Sequence, residues 1–242
     1  MKTYIVLSDI QFPFEDQRVL NRLVLPFVRD LQPDGVVLNG DITDAYDISD
    51  FAKNPDIDSD LSVEIEKAQQ LMAALSRCAK DRWWIGGNHE DRWRRQIWRN
   101  PQLKAMFKDF DAAMRMKDFG FQWQPYGQGI HLGKLYVTHG SRVRKHSGDT
   151  ARAHFEKYGI SVLVGHSHRL GVYYHRNMGG AYAAYENGCL CRLDPEYEQW
   201  PDWQQGFSVV QVDKSGLFHV TQVPILRRSI LIYGGKEYRI EA

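Results

Sequence analysis

A β-branched and aromatic run at residues 3–7 ends in Ser8-Asp9, and four later runs end the same way, in residues able to bind metal. In chain order the five clusters are Asp9-Ile10-Gln11, Gly40-Asp41-Ile42-Thr43-Asp44, Gly87-Asn88-His89-Glu90, Thr138-His139-Gly140 and Gly165-His166-Ser167-His168. Each sits where a strand is expected to stop. Open α/β sheets carry their ligand-binding loops at strand ends, so this alternation constrains the fold and the site together. Asp and Asn offer oxygen donors and His offers imidazole nitrogen, a set suited to borderline-hard divalent metals. Two such metals held close together are a recurrent means of hydrolysing phosphate esters. A carboxylate shared by two cations lowers their mutual repulsion, and Asp41 is the better candidate for that position. Glycines at 40, 87, 140 and 165 permit the tight turns that bring backbone close to the ligands.

Between the clusters the hydrophobic pattern alternates in kind. Residues 17–31 carry Leu20, Leu23, Val24, Phe27, Val28 and Leu31 at helical spacing, and Pro33-Asp34 separates them from a strand at 35–38. This is a βαβ opening. Residues 44–60 are polar and turn-rich, with Asn54-Pro55, and read as a surface excursion. A helix is expected over 61–80, capped by Ser59 or Asp60, then a strand at 82–85 and a helix at 90–99. Pro101 opens a second helical stretch running to about residue 117. A hairpin follows at 130–138 around Gly133-Lys134, then a helix at 151–158 ended by Gly159, and a strand at 160–164. Beyond that the pattern is β-rich, at 171–174, 183–185, 207–212 and 217–223, with a turn at Lys214-Ser215-Gly216. Clusters from Asp9 to His168 must converge on one site, so 1–242 reads as a single domain. Strands near both ends suggest two facing sheets with helices outside.

Charge limits the partners. Lys and Arg number 31 against 30 Asp and Glu, so any attraction to nucleic acid must come from a local patch. Apolar stretches fall far below membrane-span length, and no membrane partner is expected. The apolar start meets Asp9 at once and reads as a first strand rather than a signal peptide. Three cysteines, Cys78, Cys189 and Cys191, make a poor disulfide framework and fit a cytoplasmic protein. Cys189 and Cys191 read as alternating positions on one strand face.

The order of clusters resembles the calcineurin-like metallophosphoesterases, whose motifs run D-x-H, G-D-x-x-D, G-N-H-[DE], a lone His and G-H-x-H. The last four blocks match in full. The resemblance implies an α/β fold, an αββα sandwich of two mixed β-sheets flanked by helices, with the site at the sheet ends. It implies two divalent ions, with Mn²⁺ expected and Mg²⁺, Zn²⁺ or Fe as alternatives. Asp41 would bridge them, Asp9 and His168 would hold one, and Asn88, His139 and His166 the other. His89 would be catalytic, stabilising the transition state or protonating the leaving oxygen, with Asp44 orienting its ring. The departure is Gln11, where the family has His. An amide oxygen binds transition metals less well than imidazole, so Gln11 is carried as a ligand of a weaker site or one biased towards Mn²⁺ or Mg²⁺. Glu186-Asn187-Gly188 resembles the family's downstream Asn-Gly turn and reads as structural.

Substrate contacts are expected beside these loops. On a helix starting at the Asn88-His89 loop, Arg92, Arg95 and Arg99 share one face through i+3 and i+4 steps. Guanidinium groups suit bidentate phosphate contacts, and the interleaved Trp93 and Trp98 suit base stacking or core packing. Arg142, Arg144 and Lys145 follow His139, and Arg169 follows His168. Arg92, Arg95, Arg142 and Arg169 are the substrate-binding candidates; the plainer alternative is charge that balances a carboxylate-rich centre. Trp200-Pro201-Asp202-Trp203 is turn-like, at a position that could rim a pocket. The expected activity is binuclear-metal-dependent phosphoester hydrolysis through a hydroxide held between the metals. A phosphodiesterase acting on nucleic acid or nucleotides comes first. A phosphomonoesterase on nucleotides or phosphoproteins is the alternative, followed by a non-catalytic scaffold of the same fold.

Overall fold

The computed structural model describes residues 1–57, 59–195 and 200–241. Strand β1 (Lys2–Leu7) leads into a helical course in three parts: α1 (Gln17–Val19), a π-helical turn over Leu20–Val24, and α2 (Leu25–Leu31). Asp16 caps the start, its carboxylate accepting from Val19 N at 3.2 Å. The π turn is a local adjustment to Pro26. Proline lacks an N–H and crowds the carbonyl four residues back, so the ladder shifts to a Leu25 N–H to Leu20 O bond just before it. Strand β2 (Gly35–Asn39) follows, then α3 (Leu61–Ser76), capped by Asp60, whose carboxylate accepts from Ser62 N at 2.7 Å. Strand β3 (Asp81–Ile85) and helix α4 (Glu90–Arg99) lie as expected.

The helix expected from Pro101 to residue 117 is broken. A 3-10 turn at Pro101–Leu103 precedes α5 (Phe110–Ala113), and a second 3-10 turn spans Met116–Phe119. Arg115, at φ 56°, separates α5 from the second 3-10 turn. Phe110 turns inward to meet Trp84 edge-on at 5.6 Å and Trp123 at 4.9 Å. The remaining elements are β4 (Gln122–Gln124), β5 (Gly129–Leu132), β6 (Leu135–Thr138), α6 (Asp149–Tyr158), β7 (Val162–Val164), β8 (Leu170–Asn177), β9 (Gly180–Asn187), β10 (Gly206–Val212), β11 (Phe218–Pro224), β12 (Ile230–Tyr233) and β13 (Lys236–Arg239). Strands β4, β12 and β13 had no counterpart in the sequence reading: Gln-Trp-Gln is too short and polar to register, and β13 is mostly charged.

Two mixed sheets result. One runs β11-β10-β1-β2-β3-β4, with β1 to β4 parallel and β10 and β11 antiparallel. The other runs β5-β6-β7-β9-β8, parallel only at its centre. Tyr4, Val6, Val37, Val137, Leu163 and Val210 pack between the sheets. On the outer face of the first sheet, Ile5, Leu7 and Leu38 meet Leu23 and Phe27 of the first helical course and Met72 of α3. On the outer face of the second, Val162, Val164 and Ala184 meet Ala151 and Phe155 of α6. These layers make the αββα sandwich. Each fully buried Leu, Ile or Phe contributes roughly 1.5–3 kcal/mol relative to exposure. Among the described residues, no helix is long and apolar enough to cross a membrane.

Register decides where the loops emerge. Leu7 pairs with Leu38, Asn39 with Ile85, and Thr138 with Val164. These parallel strands therefore end side by side, and Asp9, Asp41, Asn88, His139 and His166 all follow within three residues of those ends.

Candidate metal centre

The loops leaving these strands are strained at the residues that matter. Asp9, Gln11, Asp41, His166 and His168 have φ of 53°, 54°, 51°, 68° and 58°. Non-glycine residues in this left-handed region cost on the order of 1–3 kcal/mol each and persist where the surroundings over-determine them. Here Asp9 N donates to Gly40 O at 3.0 Å and Gln11 N to Asp41 O at 2.9 Å. Two glycines are sterically required. A Cβ on Gly87 would stand 2.0 Å from Asp41 Oδ1, and one on Gly40, at φ +83°, would stand 2.3 Å from His139 Nδ1.

Glu90 ties two of the loops together. Its buried carboxylate accepts from Gly87 N at 2.7 Å, Asp41 N at 2.9 Å, Ile42 N at 2.7 Å and Thr43 N at 3.1 Å. Burial, then the Asp41 charge, pushes this carboxyl above its usual range. Glu186 and Asn187 do similar work from β9. Glu186 accepts from Ser167 Oγ at 2.6 Å, and Asn187 Nδ2 donates to Ser8 Oγ at 3.0 Å, which agrees with the structural reading of that turn.

Asp41, His139 and His166 each present one ligand atom within 4.8 Å of the others. His139 Nδ1 bonds Asn39 O at 2.8 Å, which turns Nε2 to within 3.1 Å of Asp41 Oδ2. Yet Asp41 Oδ2, His139 Nε2 and Asn88 Oδ1 are all buried without a hydrogen bond. Orphaned buried polar atoms are costly, and three of them belong to the ligand candidates. A divalent cation would satisfy all three, so the residues present fit the group. Asp41 and His139 hold each other in their charged forms. Burial would lower His139, but the Asp41 charge holds it up at about 10. Burial opposes Asp41's ionisation too, but the His139 and His89 charges keep it well below the usual carboxylate range. His166, by burial and then by the His139 charge, falls to about 4, leaving a neutral imidazole able to donate to a metal.

Asp9, Gln11 and His168 form the other half. His168 Nε2 lies 3.2 Å from Asp9 Oδ1 and 3.3 Å from Gln11 Nε2. Asp9 also accepts from His166 N at 3.1 Å. Behind His168, Nδ1 faces Cys191 Sγ at 3.7 Å, and the ring packs on Trp203 at 4.2 Å. Cys189 and Cys191 do share a face, and that face is occupied by His168: the three ligand atoms lie within 4.8 Å of one another.

His89 stands at the rim. Its Nδ1 is 3.1 Å from both Asp44 Oδ2 and Asp44 O, and its Nε2 is 3.7 Å from Asp41 Oδ2. Burial works against its charge, but Asp41 and then Asp44 raise its pKa above the usual value. Arg92 Nη1 donates to Asp44 O at 2.6 Å and to Asp44 Oδ1 at 2.9 Å, so one aspartate orients both side chains.

The arginines divide. Arg92 reaches the centre and lines a cavity of about 570 Å³ that opens on Gln11, Asn88 and His89. The other three candidates do not line it. Arg95 pairs with Asp91 at 2.9 Å, Arg142 donates to Ala153 O at 3.1 Å, and Arg169 donates to Asp202 O at 3.0 Å and to Arg144 O. Trp93 packs against the core and Trp98 is exposed. Sequence reasoning missed the cavity's other walls, Phe14, Tyr46 and Phe51. For Tyr46 and Phe51 the available signal was aromatic residues inside the polar 44–60 excursion.

Two facing mixed sheets with an Asp, Asn and His centre at their ends define a metallophosphoesterase class of architecture. Residues 2–177 match the family model for calcineurin-like phosphoesterases, and the chain belongs to that family. The family binds divalent metals, and membership in it supports a metal-dependent phosphoesterase in general terms. The Gene 54 protein of Mycobacterium phage D29 is 29% identical over 231 residues, covering 88% of this chain and 89% of that protein. The Gene 54 protein of Mycobacterium phage L5 is 28% identical over 242 residues, with the same coverage of 88% and 89%. The crystal structure of Chaetomium thermophilum Vps29 aligns over 93% of this chain and 94% of its own, at 10% identity and a TM-score of 0.47.

Proposed function

We propose that this chain is a binuclear-metal-dependent phosphodiesterase acting on nucleic acid or nucleotide substrates. The observation that carries the reading is the convergence of Asp41 Oδ2, His139 Nε2 and Asn88 Oδ1, buried and without hydrogen bonds, beside an oriented His89. Asp41 would be shared by both ions, with Asn88, His139 and His166 on one and Asp9, His168 and Gln11 on the other. When bound, the ions supply Lewis acidity to the phosphoryl oxygens and lower the pKa of water. Asp44 holds His89 Nδ1, so His89 Nε2 faces the reacting centre and delivers a proton to the leaving oxygen. A raised His89 pKa suits that role, because it favours the protonated ring.

A diester is favoured over a monoester by charge. Arg92 lines the cavity, but its guanidinium is already shared with Asp44, and a monoanionic diester needs less added positive charge than a dianionic monoester. Assays with bis-p-nitrophenyl phosphate and p-nitrophenyl phosphate, in Mn²⁺, Mg²⁺ and Zn²⁺, test the reading. Faster turnover of the diester, only with added metal, is expected. Preference for the monoester would establish the phosphatase alternative.

A further inference from the structure

We propose that the cavity beside His89 takes the nucleoside portion of a single nucleotide ester, with the planar base against its aromatic walls. This rests on the phosphoesterase reading above and narrows it from nucleic acid or nucleotide to a discrete nucleotide. About 570 Å³ is within the usual range for small-molecule sites, roughly 300–1,000 Å³. One end is the catalytic end, with Gln11, Asn88 and His89. The aromatic lining is Phe14, Tyr46, Phe51 and Trp203. Phe14 and Tyr46 meet edge to face at 5.5 Å and form a fixed corner. Phe51 is 74% exposed at the mouth, with the Arg92 guanidinium carbon 5.9 Å from its ring centre. An apolar ring exposed at the rim of a reactive site gains by being covered, and a flat base covers it well. Arg192, 5.6 Å over the Phe14 ring, adds a fork of donors suited to the carbonyl edge of a base.

A polymer fits less well. Binding of a strand needs a positive groove that tracks the backbone. Three of the arginines that would continue such a track are engaged locally: Arg95 with Asp91, Arg99 with Asp50, and Arg169 with Asp202. Asn54, Ile57 and Pro195 also line the cavity. Chemistry and charge together therefore select one base and one phosphate rather than a run of them.

Calorimetric titration of the full chain in Mn²⁺ with thymidine 5'-monophosphate and with methyl phosphate tests this. Both carry the same phosphate group and differ only in the nucleoside. The nucleotide should bind at least about tenfold more tightly, the scale of one base stacked on an aromatic ring. Phe51→Ala should remove most of that gap, and Phe51→Trp should restore it. Equal affinities in the unmodified chain would overturn the proposal, as would Phe51→Ala weakening both ligands by the same factor. Oligothymidylate binding more tightly than the mononucleotide, with steep salt dependence, would overturn it in favour of a polymer. A phosphoserine peptide outcompeting the nucleotide would overturn it in favour of a protein substrate. A nucleotide preference with no hydrolysis of any phosphoester would overturn the hydrolase reading while supporting the ligand class of the cavity.

Discussion

The two halves of the candidate centre differ in how well their atoms are already satisfied. Around Asp41, Oδ2 and His139 Nε2 face each other at 3.1 Å with no other hydrogen bond, and Asn88 Oδ1 has none. Around Asp9, the carboxylate accepts from His166 N, and His168 Nε2 lies between Asp9 and Gln11. The first half offers imidazoles and oxygens, and the second replaces one imidazole with an amide, a poorer donor to transition metals. The lesson is that a motif matched at nearly every position can still specify two unequal sites. The Asp41 side is expected to bind first and more tightly, and the Asp9 side to fill at higher metal concentration.

The strongest test of this comparison removes the residue both halves share. Asp41→Asn should empty both sites and lower kcat by at least about 10³-fold, the size of several kcal/mol of transition-state stabilisation. Metal analysis of the purified variant beside steady-state kinetics checks this, and retention of one tightly bound equivalent would refute a shared Asp41. Next in size, His89→Ala should lower kcat by about 10²- to 10³-fold while metal content stays at the unmodified level. Loss of metal in that variant would make His89 a ligand and redraw the centre.

Smaller effects separate the halves. Gln11→Ala should weaken only the Asp9 side, and Gln11→His should tighten that side alone, because imidazole is the better donor. Paired metal titrations show this as one moved binding step of two; movement of both steps would place Gln11 at the shared position. The smallest effect concerns Glu64, which accepts from Ala45 N at 2.6 Å and Tyr46 N at 3.1 Å just beyond Asp44. Burial, ahead of the Asp44 charge, raises Glu64 to about 8 from an ordinary 4.5. A carboxyl raised on folding keeps its proton in the folded chain where the unfolded chain has lost it. Its contribution is therefore present below about 4.5 and declines as pH rises towards 8. Glu64→Gln should flatten the fall in Tm across that window, and an unchanged slope would show that Glu64 ionises normally.

What the sequence made legible were features written locally. Ligand candidates follow strand ends within a few residues, so Asp9, Asp41, Asn88, His139, His166 and His168 could be found without knowing how the sheets meet. Elements that depend on distant partners could not. Glu90 sits in a legible motif, but its four donors come from two loops that register brings together. The Cys191 contact to His168 requires the segment after β9 to pass behind the centre. The arginine face of α4 followed the helical spacing, yet Arg95 and Arg99 were absorbed by Asp91 and Asp50, one on the same helix and one in the 44–60 excursion. That excursion looked like solvent-facing loop because its turn residues outnumber its aromatics, and only folding sets Tyr46 and Phe51 against the cavity.

The central claim is that hydrolysis depends on metal held by this centre. Chelator-treated, desalted protein should be assayed on bis-p-nitrophenyl phosphate while Mn²⁺ is titrated back. No turnover is predicted before addition, with activity rising in step with binding and reaching its full value only when both sites are filled. Full activity in the chelator-treated protein, without added metal, would contradict the account.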